Sequence, residues 1–220
     1  GADATAANEL LAPERLKGAE IGVDIESGDF QFNATAFANK LDNAVANVGM
    51  GVGPANFPGV GFVAAGGVYR KRQNLDAIDS KGMEFDAAYA VRDVMLRAGY
   101  AYVDAKVEAS GTAAALKGLR PAQVPRHFAS LGVSYDGPRY SASVNARYVG
   151  AQFEDDANSR RLASAFTLDA GVGYRLRKLF QLELRGENLF DARVEAAIGS
   201  DGVIERATPR TIWAGISVEY

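Results

Sequence analysis

From residue 14 onward the chain alternates apolar and polar residues with period two, in runs far longer than a water-soluble sheet needs. Phe166, Leu168, Ala170, Val172, Tyr174 and Leu176 fall on one face of such a run, and Thr167, Asp169, Gly171, Gly173 and Arg175 on the other. Tyr140, Ala142, Val144, Ala146 and Tyr148 oppose Ser141, Ser143, Asn145 and Arg147 in the same way. Phe180, Leu182 and Leu184 oppose Gln181, Glu183, Arg185 and Glu187, and Ile212, Ala214, Ile216, Val218 and Tyr220 oppose Thr211, Trp213, Gly215, Ser217 and Glu219. A helix cannot hold such a pattern on one side.

The alternation predicts nine strands, at roughly 14–26, 29–46, 66–91, 94–107, 125–136, 138–150, 163–176, 179–190 and 207–220. The third reads either as one very long strand or as two joined by a bulge near Asp79-Ser-Lys-Gly82. Ala113–Leu119 reads as a turn or two of helix inside a loop.

Three features separate a membrane barrel from a soluble sandwich. The strands run to about twelve to fourteen residues, whereas soluble strands cluster near five or six. The connections alternate in length. Those at Glu26–Gly28, Arg92-Asp93, Asp136–Pro138 and Arg177-Lys178 are tight, and those near 47–65, 108–124, 151–162 and 191–206 are long, as in outer-membrane barrels. Aromatic residues recur at both ends of the apolar faces. Eight residues separate Tyr140 from Tyr148, and Phe166 from Tyr174, which at a tilt of about 40° is roughly 20 Å along the membrane normal. That is close to an apolar band of about 25 Å between aromatic girdles. The expected fold is therefore all-β, an antiparallel transmembrane β-barrel.

Composition narrows the chemistry. The absence of cysteine removes disulfides, thiolate metal sites and cysteine nucleophiles, and the single histidine removes multi-histidine metal sites. A formal charge of −3 argues against a nucleic-acid partner. No apolar run is long enough for a transmembrane helix, which leaves the β route open.

Several motifs resemble those of TonB-dependent outer-membrane receptors. Leu184-Arg-Gly-Glu-Asn-Leu-Phe-Asp191 is similar to the family's "ENLFD" signature. Ala207-Thr-Pro-Arg-Thr211 resembles its "G-x-P-R-T" lead into the final strand, with Ala207-Thr208 departing from the usual glycine. Pro13-Glu-Arg-Leu-Lys-Gly-Ala-Glu-Ile-Gly22 is similar to "P-E-x-x-x-x-x-E-x-G", and Gly82-Met-Glu84 falls where the family has "G-[VLF]-E". Gly215-Ile-Ser-Val-Glu-Tyr220 resembles an outer-membrane insertion signal carried by Gly215, Val218 and Tyr220, which implies recognition by the barrel-assembly machinery.

The resemblance implies TonB-dependent uptake of a scarce nutrient across the outer membrane of a Gram-negative bacterium. That nutrient is most often a ferric siderophore, sometimes cobalamin, haem or a glycan. It also implies a plug domain, contact with TonB, and lipid and lipopolysaccharide around the barrel. No enzymatic activity and no cofactor are implied. Strand parity extends the expectation. With Tyr220 at the periplasmic side, nine strands leave residue 1 outside, whereas a complete bacterial barrel has an even count. The chain then reads as the carboxyl-terminal portion of a 22-stranded barrel. Residues 1–13 form the tail of an extracellular loop and 14–220 the membrane strands, and the plug, the TonB-contacting segment and earlier strands lie outside it.

Candidate chemical groups are few. His127 would need an acid partner and a nucleophile to act as a base, and Ser130 and Asp136 are the nearest in sequence. Glu154-Asp-Asp-Ala-Asn158 carries oxygen ligands without calcium-loop spacing, so a solvated, internally paired loop is expected. Gly49-Met-Gly-Val-Gly-Pro54 lacks the lysine of a phosphate loop and reads as part of a long outer loop that includes Phe57, Phe62 and Tyr69. Glu84, Asp86, Arg97, Asn145, Arg147, Asp169, Arg175, Glu183, Arg185 and Glu187 must face a wet lumen or a polar partner, because a charge facing lipid is costly. Of these, Arg97, Arg147, Arg175 and Arg185 are the candidate plug or anionic-cargo contacts. An outer-membrane barrel protease or lipase, and a soluble β-rich adhesin or binding domain, are the competing readings.

Overall fold

The computed structural model describes residues 2–177 and 180–218. Among these, nine strands form one antiparallel sheet: β1 (Arg15–Ser27), β2 (Phe30–Asp42), β3 (Ala77–Val91), β4 (Val94–Glu108), β5 (His127–Asp136), β6 (Tyr140–Val149), β7 (Ala165–Arg177), β8 (Phe180–Glu187) and β9 (Thr211–Val218). Each pairs only with its neighbours in sequence, in the order β9 to β1, so the sheet is a simple meander.

The register explains the shape. Ser27 opposite Phe30 continues across the sheet to Tyr89 and Leu96, yet the β3–β4 hairpin closes two residues further on, at Val91 opposite Val94. That last row continues to Tyr135 and Ala142, and the turn before Tyr140 lies one pair beyond it. Successive hairpins are thus stepped along the strands, which is the tilt that curls a sheet toward a barrel.

The apolar face has no core beneath it. Ile21 is 77%, Leu131 55%, Val172 55% and Ile216 70% exposed. The buried hydrophobic residues sit instead at the long-loop end: Ala44, Ala46, Val48, Leu75, Val107 and Leu116 form one cluster, with Leu41 and Ile78 packed against it. A soluble sandwich buries the apolar face of its sheet. Here that face is left for a nonaqueous surround.

Both aromatic rows are in place. Phe30, Tyr89, Tyr135, Tyr140, Tyr174 and Phe180 lie on this face within four residues of the short turns, and Tyr140 stacks on its cross-strand partner Tyr174 at 5.1 Å. Toward the long loops Phe85 stacks on Tyr100 at 6.4 Å, Tyr148 stands opposite Phe166, and Phe166 stacks on Phe190 at 6.3 Å.

Two strand expectations need correction. The segment 66–91 is neither one strand nor bulged at Asp79–Gly82, since β3 pairs without a register shift from Ala77 to Val91. Its break is at Leu75-Asp76, where Leu75 is buried and its N–H donates to the Ala44 carbonyl at 2.7 Å. Val68–Asn74 belongs to a separate three-stranded sheet with Val45–Val52 and, in parallel, Ala4–Ala6. The second strand accordingly ends at Asp42 rather than 46, turning at Asn43 with a φ of 58°. Gly111–Leu116 forms a short 3-10 helix inside the expected loop.

Candidate functional site

The polar face of the sheet carries the candidate site. Asp24, Asn33, Asp86, Gly99, Ser130, Arg147 and Thr167 lie in one cross-strand row, and Gln31, Ala88, Arg97, Gly132, Asn145 and Asp169 in the next. Small residues open a trough there, lined toward the short-turn end by Ser141, Ser143, Gly171, Gly173, Gln181 and Glu183. The glycine of Gly82-Met-Glu84 has a packing reason on the same face: a Cβ would stand 2.2 Å from the Tyr102 carbonyl oxygen and 2.6 Å from the Phe37 ring.

The four candidate arginines divide. Arg147 lies over the Phe128 ring at 5.0 Å and Arg185 over the Trp213 ring at 5.0 Å, both exposed on the polar face. Arg185 also reaches Glu183 at 3.4 Å. Arg97 is exposed beside Asp86 and Gln31 and makes no ion pair among the described residues. Arg175 is different. It donates to the Gly137 carbonyl at 2.6 Å and the Asp136 carboxylate at 2.7 Å, which locks it onto a short turn. Arg97, Arg147 and Arg185 thus present cations on the polar face, with Arg97 and Arg185 lining its hollows, whereas Arg175 staples a hairpin. Asp169 is also structural, because it accepts the Asn188 N–H at 2.7 Å.

The two carboxyl-terminal motifs meet in space. Asn188, buried and at a φ of 48°, donates from Nδ2 to the Ala192 and Thr208 carbonyls and accepts the Ala192 N–H at 2.8 Å. Asp191 accepts the Arg210 N–H at 3.0 Å. Glu187–Asp191 therefore clamps the long connection at both of its ends. Gly215 lies on the polar face opposite Glu183, and Val218 on the apolar face opposite Phe180. Tyr220 lies outside the described residues.

His127 heads β5 on the apolar face, where its Nδ1 shares a hydrogen bond of 2.8 Å with the Tyr100 hydroxyl and its ring lies 5.2 Å from that of Tyr102. Ser130 faces the opposite side in register with Gly99, and Asp136 is held by Arg175. These three do not assemble into a catalytic group.

The long loops form a cross-braced platform. Asn158, at a φ of 54°, donates to the Arg120 carbonyl at 2.7 Å and accepts its N–H at 2.9 Å. Asp155 accepts Ser159 Oγ at 2.7 Å and the Arg160 N–H at 2.8 Å, while Asp156 accepts the Asn47 N–H at 2.9 Å. These carboxylates serve loop structure rather than one common ligand. Burial, with Arg126 adding repulsion, draws the Arg120 guanidinium below its usual value. The amino-terminal segment is laced to the same platform. Asp3 accepts the Val68 N–H at 2.9 Å and pairs with Arg70 at 2.6 Å, while Asn74 exchanges hydrogen bonds with the Ala12 backbone. Burial pushes the Asp3 carboxyl up, but the Val68 N–H and the Arg70 cation outweigh it and hold it below its ordinary value. At the loop tip Phe57 stacks on Tyr69 at 4.5 Å, and Phe62 projects, 67% exposed.

A stepped meander with an aromatic-edged apolar face, a polar inner face and packed loops at one end is matched by the family model for the TonB-dependent-receptor-like β-barrel, over residues 1–189. The chain belongs to the TonB-dependent receptor family. Solved structures agree on the fold. The ferric yersiniabactin uptake receptor FyuA from Yersinia pestis superposes with a TM-score of 0.74 at 18% identity, covering 94% of this chain and 30% of that one. The siderophore receptor PiuA from Acinetobacter baumannii gives 0.74 at 20%, covering 97% and 30%. The copper transporter OprC gives 0.71 at 17%, covering 96% and 32%. At such identities the likeness establishes the fold alone. The chain spans about 30% of the length of these receptors. No match was found among curated proteins. TonB-dependent receptor barrels are transport receptors of the Gram-negative outer membrane.

Proposed function

We propose that this chain is the carboxyl-terminal part of the barrel of an outer-membrane receptor for TonB-dependent uptake of a ferric siderophore. The observation that carries the reading is the pairing of an apolar, aromatic-edged outer face with a polar inner face that presents Arg97, Arg147 and Arg185. Siderophore receptors among the superposed structures support the cargo class. Among the described residues the outer edges of β1 and β9 have no partner strand, which supports a larger barrel, because each leaves a row of backbone donors and acceptors for a further strand. Upstream strands would extend β1. A plug would fill the lumen against the inner-face charges and would carry the contact with TonB. Assembly would follow recognition of Gly215, Val218 and Tyr220 by the barrel-assembly machinery. Small-molecule cargo would first meet the platform made by the long loops, since contacts concentrate in loops on a rigid scaffold.

The test is uptake of iron-55 by iron-limited cells that depend on the full-length gene, supplied as a panel of ferric siderophores. Substituting Arg97, Arg147 and Arg185 together by Gln is expected to lower uptake of anionic complexes at least tenfold while surface abundance is unchanged. Unaltered uptake by that triple variant would overturn the role given to the arginines. Absence of any TonB-dependent iron accumulation would overturn the cargo.

A further inference from the structure

We infer that Arg70, Arg160 and the Val68 N–H form a subsite for a polycarboxylate anion on the loop platform, held shut by the Asp3 carboxylate as an internal competitor. The inference deepens the uptake reading given above, on which its place in transport rests. Three separate loops meet there. Asp3 comes from the segment before β1, Arg70 from Val68–Asn74 and Arg160 from the 151–162 loop. Asp3 is bound as a ligand carboxylate would be: one oxygen accepts the Val68 N–H at 2.9 Å and the other Arg70 Nη1 at 2.6 Å. The Arg160 cation lies near enough to favour the ionised carboxyl.

The pocket is only part-filled. Arg160 Nε–H is buried and meets no acceptor among the described residues. The Asp155 carboxylate stands 3.9 Å from it and is already engaged, one oxygen by the Ser159 hydroxyl and the other by the Arg160 backbone N–H. An orphaned buried donor is costly and calls for an oxygen that the chain does not bring. Asp3 spends both of its oxygens on Val68 and Arg70. An anion with a second carboxylate would satisfy those two groups and Arg160 as well, which is its advantage over Asp3. Solvent reaches the site, since the side chains of Arg70, Arg160 and Asp3 are 20%, 23% and 15% exposed.

The segment that carries Asp3 is lightly held. Ala4–Ala6 pairs with Tyr69–Lys71 over three residues, where strands usually run to five or six. Ala6 is the one buried residue of 2–12, and a methyl group removes little area from water. Gly67 leaves room for the Ala2 carbonyl, which a Cβ would strike. Asn8 bonds the Arg72 carbonyl and Ala12 exchanges hydrogen bonds with Asn74, so loss of the Asp3 contact frees Ala2–Ala6 without detaching the entry to β1.

The test is hydrogen exchange of the detergent-purified full-length receptor at neutral pH, with affinities from calorimetry. The probe is tricarballylate, a tricarboxylate, and acetate at matched ionic strength is the control. Tricarballylate is expected to raise exchange at Ala4–Ala6 to a plateau, and acetate to leave it unchanged. Asp3→Asn removes the competitor and is expected to tighten tricarballylate binding about tenfold, whereas a carboxylate that only braces the loops predicts equal or weaker binding. R160Q is expected to weaken binding about tenfold, the worth of one hydrogen bond to a charged group, with exchange in the absence of the probe at the parent level. Continued protection of Ala4–Ala6, an Asp3→Asn variant that binds no tighter, or an equal effect of acetate overturns the subsite. Iron-55 uptake separates the two readings. No TonB-dependent accumulation with displacement intact overturns the uptake reading alone, and normal accumulation with displacement absent overturns the subsite alone.

Discussion

A charge placed at matched depth on the two faces of the sheet tests which face meets lipid. Leu131 points outward on β5 and is 55% exposed, five residues from Asp136. Asn145 points inward on β6, five residues from Tyr140, in register with Gly132 and Asp169. Five residues at about 3.4 Å and a tilt of about 40° put both near 13 Å from the short-turn boundary, close to the midplane of a band about 25 Å tall. An arginine at Leu131 must enter hydrocarbon and is expected to cost about 2–4 kcal/mol, a factor of about thirty to several hundred in the folding equilibrium. An arginine at Asn145 enters a wet trough beside the Asp169 carboxylate and is expected to cost less than about 1 kcal/mol. Urea unfolding of the full-length receptor in phosphatidylcholine vesicles, followed by tryptophan fluorescence and heat-modifiable migration, reads the difference. Equal destabilisation by Leu131→Arg and Asn145→Arg, or a neutral Leu131→Arg, would refute the assignment of faces.

Three further outcomes follow from the hydrogen bonding. Asn188→Ala removes three side-chain hydrogen bonds and leaves alanine, less tolerant of the left-handed region than asparagine, at a φ of 48°, so a loss of about 3 kcal/mol is expected in the same urea assay. Asn158→Ala removes two hydrogen bonds between the 151–162 loop and the Arg120 backbone, and limited proteolysis of that loop is expected to quicken about thirtyfold, matching about 2 kcal/mol of local stability. Asp3 has a folded pKa below its unfolded value. Its contribution to docking residues 2–12 is therefore fully present above about pH 4 and is lost as pH falls through the folded value. Hydrogen exchange at Ala4–Ala6 is expected to be flat from pH 8 to 5, after correction for intrinsic rates, and to rise in stronger acid. Asp3→Asn should show that raised exchange at every pH.

Much of this architecture is legible in one dimension because two solvents read it. Hydrocarbon on one side and water on the other select alternate residues, so Phe166–Leu176 and Tyr140–Tyr148 announce both their strands and their faces. The short turns are local as well, and the ENLFD run marks the end of β8. What alternation lacks is the identity of the partner. Val68–Asn74 runs into β3 with no glycine or proline between them, and nothing local says that it pairs with Val45–Val52 and Ala4–Ala6, or that Leu75 is buried at the break. The arginines carry the same lesson. Arg147, Arg175 and Arg185 occupy equivalent inward positions in the pattern, and only the fold brings Asp136 and the Gly137 carbonyl to Arg175 while leaving the other two on aromatic rings. Side chain direction is a property of the strand itself, whereas the availability of a charge depends on groups that arrive from distant parts of the chain.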